Sequence, residues 1–262
     1  MDLKEAKYKK SDQRHPWELA RLNIVTKIAS DALISLNNKE GLLLDVGCGD
    51  TWFIEQLSQR YPKLYVAAID ILFTDDDLNT LREKYHGSRI SVYRTMDEAQ
   101  ADLGSKRAGM VLLLDVIEHI EDDIKFLNWL QTFPSIDDET IFTITVPAYQ
   151  WLFSKHDVFL EHYRRYDNAL LKTNIGKAGL KPLKTGYFFF SLYLARIAAW
   201  AKEKITGDKT PTTGLVEWDK SARITSMIKN ILMTDFAVTS SLHKIGIKLP
   251  GLSNYILCKK SA

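Results

Sequence analysis

Short apolar runs alternate with stretches whose apolar residues recur every three or four positions. The first run, Gly41-Leu-Leu-Leu-Asp45-Val46, breaks into an acid and two glycines and then enters the amphipathic stretch Ile54 to Arg60, which predicts a buried strand, a tight turn and a helix. The pattern repeats: apolar Leu64 to Ile69, helical Asp75 to Tyr85, apolar Arg89 to Tyr93, apolar Met110 to Leu114, helical Asp123 to Phe133 and apolar Thr140 to Val146. In an open α/β fold the carboxyl ends of such strands are where ligands bind, so polar residues that close an apolar run are the first candidates for chemistry.

The flanks differ. Residues 1 to 14 are polar and lysine-rich and are expected to fray. His15-Pro16-Trp17-Glu18 leads into a helical pattern through Ala29, with a proline suited to a first turn. Trp17 and Arg21 lie one turn apart and share a face; core packing explains Trp17, and a lid over a ligand cleft is the functional alternative. Past the loop Pro147 to Tyr166, a helix is expected over Leu170 to Lys177, a turn at Gly179 and a strand from Leu183 to Tyr187. The apolar run then continues to Ala201, a loosely ordered segment is expected over Thr206 to Gly214, a helix over Trp218 to Thr239, and a final edge strand over Leu249 to Cys258. The run ending at Ala201 carries Arg196 and falls short of the roughly 18 apolar residues of a membrane span. A helix so apolar is expected to be buried on the domain, paired with another subunit, or laid in a membrane interface, where Lys202 and Lys204 would favour anionic lipid.

The turn Asp45-Val46-Gly47-Cys48-Gly49 lets backbone approach a ligand closely. A dinucleotide fingerprint needs a third glycine where this chain has Trp52, and Asp45 suits a cation better than a pyrophosphate. Asp70 closes the second apolar run 25 residues later, where a carboxylate accepts both hydroxyls of a ribose. A packing turn and a strand-ending acid are the plainer readings of both.

Asp45-x-Gly47-x-Gly49 resembles the first motif of class I S-adenosylmethionine-dependent methyltransferases, with Thr51 where that family usually has glycine. The run from Asp115 to Asp123, D-V-I-E-H-I-E-D-D, resembles the matching segment of the ubiquinone and glycan O-methyltransferase groups. The loop V-P-A … H-D … H-x-R-R-Y, Val146 to Tyr166, resembles that of bacterial methyltransferases accompanying glycan and lipid-linked sugar biosynthesis. The resemblance covers nearly the whole chain and implies a doubly wound, seven-stranded, mostly parallel α/β sheet with a C-terminal helical insert before the last strand. It implies a cofactor domain of residues 1–186 and 249–262 and an insert of residues 187–248. S-adenosylmethionine would meet Asp45, Gly47, Cys48, Gly49, Asp70, Ile71, Asp115 and Val116, with the Met96 thioether on the purine face and Asp97 accepting from its amine. The acceptor would meet Trp17, Arg21, Tyr149, Arg164, Arg165 and Tyr166, with at least one of the last three spent on fastening the loop.

A hydroxyl acceptor needs a base near neutrality, which His119, His156 or His162 would supply. Asp115-x-x-Glu118-His119 with a later histidine also resembles the metal set of some magnesium-dependent methyltransferases, including a small-RNA group. Magnesium prefers oxygen donors, so a divalent metal ranks behind a metal-free pocket. A net charge of +2 over 262 residues gives no nucleic-acid footprint. DNA is therefore not expected, and an RNA methyltransferase is the rival to a small-molecule, sugar or lipid-linked acceptor methylated on oxygen. A catalytically silent cofactor-fold module is the second rival. Two distant cysteines and a charged N-terminus favour a reducing cytoplasm over secretion, with peripheral membrane contact through the insert as a further expectation and the oligomeric state open.

Overall fold

A computed structural model describes residues 13–206 and 218–261; most of the polar terminus and the segment linking the two insert helices lie outside the described residues. Seven strands form one sheet in the order β3-β2-β1-β4-β5-β7-β6: β1 Leu42–Val46, β2 Tyr65–Ile69, β3 Ile90–Tyr93, β4 Ala108–Leu114, β5 Ile141–Pro147, β6 Leu180–Phe188 and β7 Ser253–Lys260. The first five run parallel, and β7 is antiparallel to both β5 and β6.

Two sequence expectations are corrected by this order. The last strand is not at the edge: β7 is paired on both sides, and β6 takes the edge. That edge strand begins at Leu180 rather than Leu183, and Pro182 sits at its register shift, the kind of place where a residue without an N–H is tolerated.

The pleat explains the layers. Leu43, Val66, Ala68, Met110 and Leu112 face one side, beneath α2 Ser30–Asn38, α3 Trp52–Arg60 and α4 Asp75–Lys84. Leu44, Ala67, Val111, Leu113, Phe142 and Ile144 face the other, beneath α5 Met96–Leu103, α6 Asp123–Leu130 and, after the short helix α7 Lys155–Phe159, α8 Asn168–Lys177. Adjacent residues of one strand serve opposite faces, so both helix layers are fixed by the same apolar runs.

The insert comprises α9 Phe190–Thr206 and α10 Ala222–Lys244. Its second helix starts after Trp218, at the Ser221 cap, and passes the expected end at Thr239. Leu232 and Phe236 of α10 join Ala20, Ile24 and Ile28 of α1 Pro16–Ile28, with Phe188, Tyr255 and Leu257 from the strands, in a third core. Phe189, expected inside the insert helix, precedes it with φ 66° and packs into that core. The N-terminal helix and the insert thus jointly cover the half of the sheet that carries the antiparallel strands. Among the described residues no helix is long and apolar enough to cross a membrane.

Candidate functional site

The turn after β1 takes positive φ at Gly47 (77°), Gly49 (60°) and Thr51 (62°). At Gly47 a Cβ would meet the Val116 side chain at 2.6 Å, so the glycine is required both for its dihedral and for close approach. Gly47 and Cys48 donate their N–H groups to the Ile69 carbonyl. Gly49 donates to Asp70 Oδ2 at 2.8 Å and Leu72 to Oδ1 at 3.0 Å. The strand-ending acid therefore ties the glycine turn to the loop after β2. Thr51 occupies the left-handed region that a β-branched residue rarely enters; it is fully buried and its hydroxyl bonds to Tyr85 at 2.7 Å.

Asp45 lies beneath this turn, 2% exposed, with Oδ1 lacking any hydrogen-bond partner. Burial, with a smaller push from Asp70 against the pull of Arg21, raises its pKa to about 7. A buried carboxylate without a partner is costly, and a bound cation would relieve it.

The N-terminal helix reaches this edge at two points. Arg14, just before α1, pairs with Asp50 Oδ2 at 2.6 Å and lies 4.7 Å from the Trp52 ring centroid. Arg21 Nη2 donates to Asp115 Oδ2 at 2.9 Å and to Thr145 Oγ1 at 3.1 Å, while Thr145 donates to Asp115 Oδ1 at 2.8 Å. Its buried Nε has no acceptor. Asp115, at φ 58°, is thus held by α1 and β5. Trp17 packs against the third core. Sequence reasoning gave Arg14 and Asp50 no role, because an ion pair between separate elements leaves no periodic signal, and it weighed Trp52 only against the dinucleotide fingerprint.

The adenine pair is placed differently from expectation. Met96 is 2% exposed and belongs to the core against Ile69 and Ala99, so its thioether is spent on packing. Asp97 is exposed in the first turn of α5, where an acid complements the helix dipole. Ile71, beside Asp70, is 77% exposed and offers the open apolar surface that Met96 does not.

Beyond β4, Ile117–His119 forms one 3₁₀ turn that buries Glu118 completely, with neither carboxylate oxygen hydrogen-bonded. Burial, then Asp115, raises its pKa well above the usual carboxylate value. Donor atoms of Glu118, His119 and His162 lie within 4.8 Å of one another, with the two rings edge-on at 4.6 Å. His162 Nδ1 is 2.9 Å from Asp157 Oδ1, an arrangement that fixes the ring and leaves Nε2 for a proton or a metal. Burial lowers the pKa of His156, which lies outside this cluster.

Most of the remaining loop residues fasten it. Arg165 donates from Nε to Asp157 Oδ1 at 2.7 Å. Tyr166 is fully buried and donates to Asp123 Oδ2 at 2.8 Å, which also accepts from Asn174. Arg164 donates to the carbonyls of Ile120, at 2.9 Å, and Glu121. The expectation that at least one of these three fastens the loop matches these bonds, in which protein groups take up hydrogen bonds of all three; Arg164 keeps 23% of its side chain exposed. Burial acts against ionisation of Asp157, but the bonds from His162 and Arg165 hold its carboxyl below the usual range. Tyr149, at φ 62°, stacks on Tyr187 at 5.2 Å and approaches Tyr193 at 5.3 Å. Trp151 links Tyr193 to Trp200, giving an aromatic wall between the loop and α9.

A family model described as a methyltransferase domain matches residues 23–184. Among solved structures, the [4+2]-cyclase SpnF has a TM-score of 0.54 at 12% identity, covering 97% of this chain and 86% of its own. Coclaurine N-methyltransferase, bound to N-methylheliamine and S-adenosylhomocysteine, scores 0.52 at 13%, covering 97% and 74%. The plantazolicin methyltransferase BamL, with a triazolic desmethylPZN analogue and S-adenosylhomocysteine, scores 0.52 at 15%, covering 92% and 86%. No curated protein matches significantly.

Proposed function

The chain belongs to the methyltransferase-domain family, and we propose that it moves the methyl group of S-adenosylmethionine to an oxygen of a small-molecule or sugar acceptor, including one carried on a lipid. The observation that carries this reading is Asp45: a buried carboxylate with an unpartnered oxygen beneath a glycine turn of positive φ is completed by an ammonium group. The cofactor brings that ammonium and the sulfonium. Asp70, already bridging the turn and the next loop, supplies carboxylate lone pairs for the ribose, and Ile71 supplies an apolar surface for the purine. Two of the solved relatives hold S-adenosylhomocysteine.

Methyl transfer is an in-line displacement at carbon, so the protein must align an acceptor, take its proton and exclude water. Asp157 fixes the His162 ring, and the free imidazole nitrogen accepts the proton of an acceptor hydroxyl. The unpaired Arg21 Nε–H is a donor for an anionic acceptor group, and the wall of Tyr149, Tyr193 and Trp151 suits a flat apolar face.

A second reading rests on Glu118, whose two oxygens are buried without partners beside His119 and His162. These groups would hold a divalent cation. Two imidazoles with one carboxylate favour a borderline metal such as zinc, and manganese over magnesium, and such an ion would polarise acceptor oxygens. The near-neutral charge weighs against an RNA acceptor. The cyclase among the solved relatives keeps chemistry other than methyl transfer open on this fold.

Incubation with methyl-tritiated cofactor and separated sugar and lipid-linked fractions tests the reading. Label in an acceptor with equal release of S-adenosylhomocysteine is expected, and its loss in His162→Gln supports the base; cofactor binding with transfer to none of these fractions would overturn the acceptor class.

A further inference from the structure

The helix α10 is apolar on two faces. One face, with Leu232 and Phe236, is buried against α1 and β7. On the other, Ile224, Met227, Ile231, Val238 and Ile245 recur at intervals of three, four and seven residues and so form one stripe. These five are between 40% and 72% exposed, and the stripe borders an open groove that ends on Phe190 and Leu249. A helix apolar on opposite faces needs two partners, and the domain supplies one.

We propose that this stripe lies in the interface of an anionic membrane, with α10 parallel to the surface. Charge selects the occupant. Arg223 stands at one end of the stripe and Lys244 and Lys248 at the other, so cations bracket an apolar strip about 34 Å long for a 23-residue helix. The two acids of residues 218–248 are engaged: Asp219 pairs with Lys220 at 3.3 Å, and Asp235 accepts from Ser191 at 3.0 Å. Long basic side chains reach lipid headgroups while the apolar row sinks to the acyl boundary. A second copy fits poorly, because pairing two stripes in either direction brings cationic ends together. The helix does not cross the bilayer, since no described helix is long and apolar enough. The site is within reach of such a surface, because α9, packed beside α10, carries Tyr193 and Trp200 of the aromatic wall.

Sedimentation of the full chain with phosphatidylglycerol-containing vesicles tests this, independently of cofactor or acceptor. Binding at low salt is expected, falling about tenfold or more in Met227→Asp/Ile231→Asp and weakening with added salt or with pure phosphatidylcholine. The double variant should keep its melting temperature and S-adenosylhomocysteine affinity, because both side chains are exposed. Unchanged binding by this variant, or no binding of the parent at low salt, would overturn the proposal. So would a stable dimer that the variant converts to monomer, which would make the stripe a subunit interface.

Discussion

Arg21, on the N-terminal helix, holds Asp115, at the end of β4, across 2.9 Å. The pair is only partly exposed, and it joins an element outside the parallel βα unit to the middle of the ligand edge. Arg21→Ala leaves Asp115, at positive φ, with Thr145 as its remaining hydrogen-bond partner. A loss of about 1 kcal/mol in stability is expected from a partly screened pair, with a larger fall in turnover, about tenfold, as α1 loses its hold on the cleft. A double-mutant cycle with Asp115→Asn, read by denaturant unfolding, should show coupling of about 1 kcal/mol. Strict additivity would mean that the contact contributes nothing.

Thr51 tests the glycine turn. Its φ of 62° stores about 1–3 kcal/mol of backbone strain, offset by burial and by the bond with Tyr85. Thr51→Gly relieves the strain but loses that bond, so stability should stay within about 1 kcal/mol of the parent. Thr51→Val keeps the strain and loses the bond, and should cost about 1–3 kcal/mol. Urea midpoints of the two variants decide it, and a Val variant as stable as the parent would contradict the account.

The raised pKa of Asp45 sets a pH dependence. The unfolded chain releases this proton near 3.8 and the folded chain near 7. Between those values the native state binds more protons, so this group's contribution to stability falls as pH rises from about 4 to 7 and is level above. The shift corresponds to roughly 4 kcal/mol at most. Asp45→Asn should remove this slope and be more stable than the parent at pH 8 while binding the cofactor more weakly. Unfolding measured at pH 5 and pH 8 checks both signs; an unchanged slope would contradict the burial argument.

Glu118 carries the metal reading. Manganese or zinc added to the demetallated protein should raise the melting temperature, with magnesium less effective, and Glu118→Gln should abolish the rise. Equal shifts in parent and variant would remove Glu118 from any metal site.

The parallel half of the fold was legible because its strands are apolar runs, most of them closed by a polar residue, as at Asp70 and Asp115. The strand-ending acids and the glycines needed no tertiary information to be found. The position of β7 was not legible, since an apolar run reads alike at an edge and between two strands. Met96 shows the same limit, because a thioether beside a strand end serves a purine or a core equally well. Arg165 and Tyr166 looked like ligand groups by composition; only the location of Asp157 and Asp123 reveals what they bind. The outward stripe of α10 was hidden by the more apolar α9 run, whose interest lies in the aromatic wall it completes.

Calorimetry with S-adenosylhomocysteine measures whether Asp45, Asp70 and the glycine turn receive S-adenosylmethionine. One site per chain with micromolar affinity is expected, weakened about tenfold or more in Asp70→Ala through loss of the ribose acceptor. The parent should show no response to NAD. Binding of NAD with no response to either S-adenosylmethionine or S-adenosylhomocysteine would contradict it.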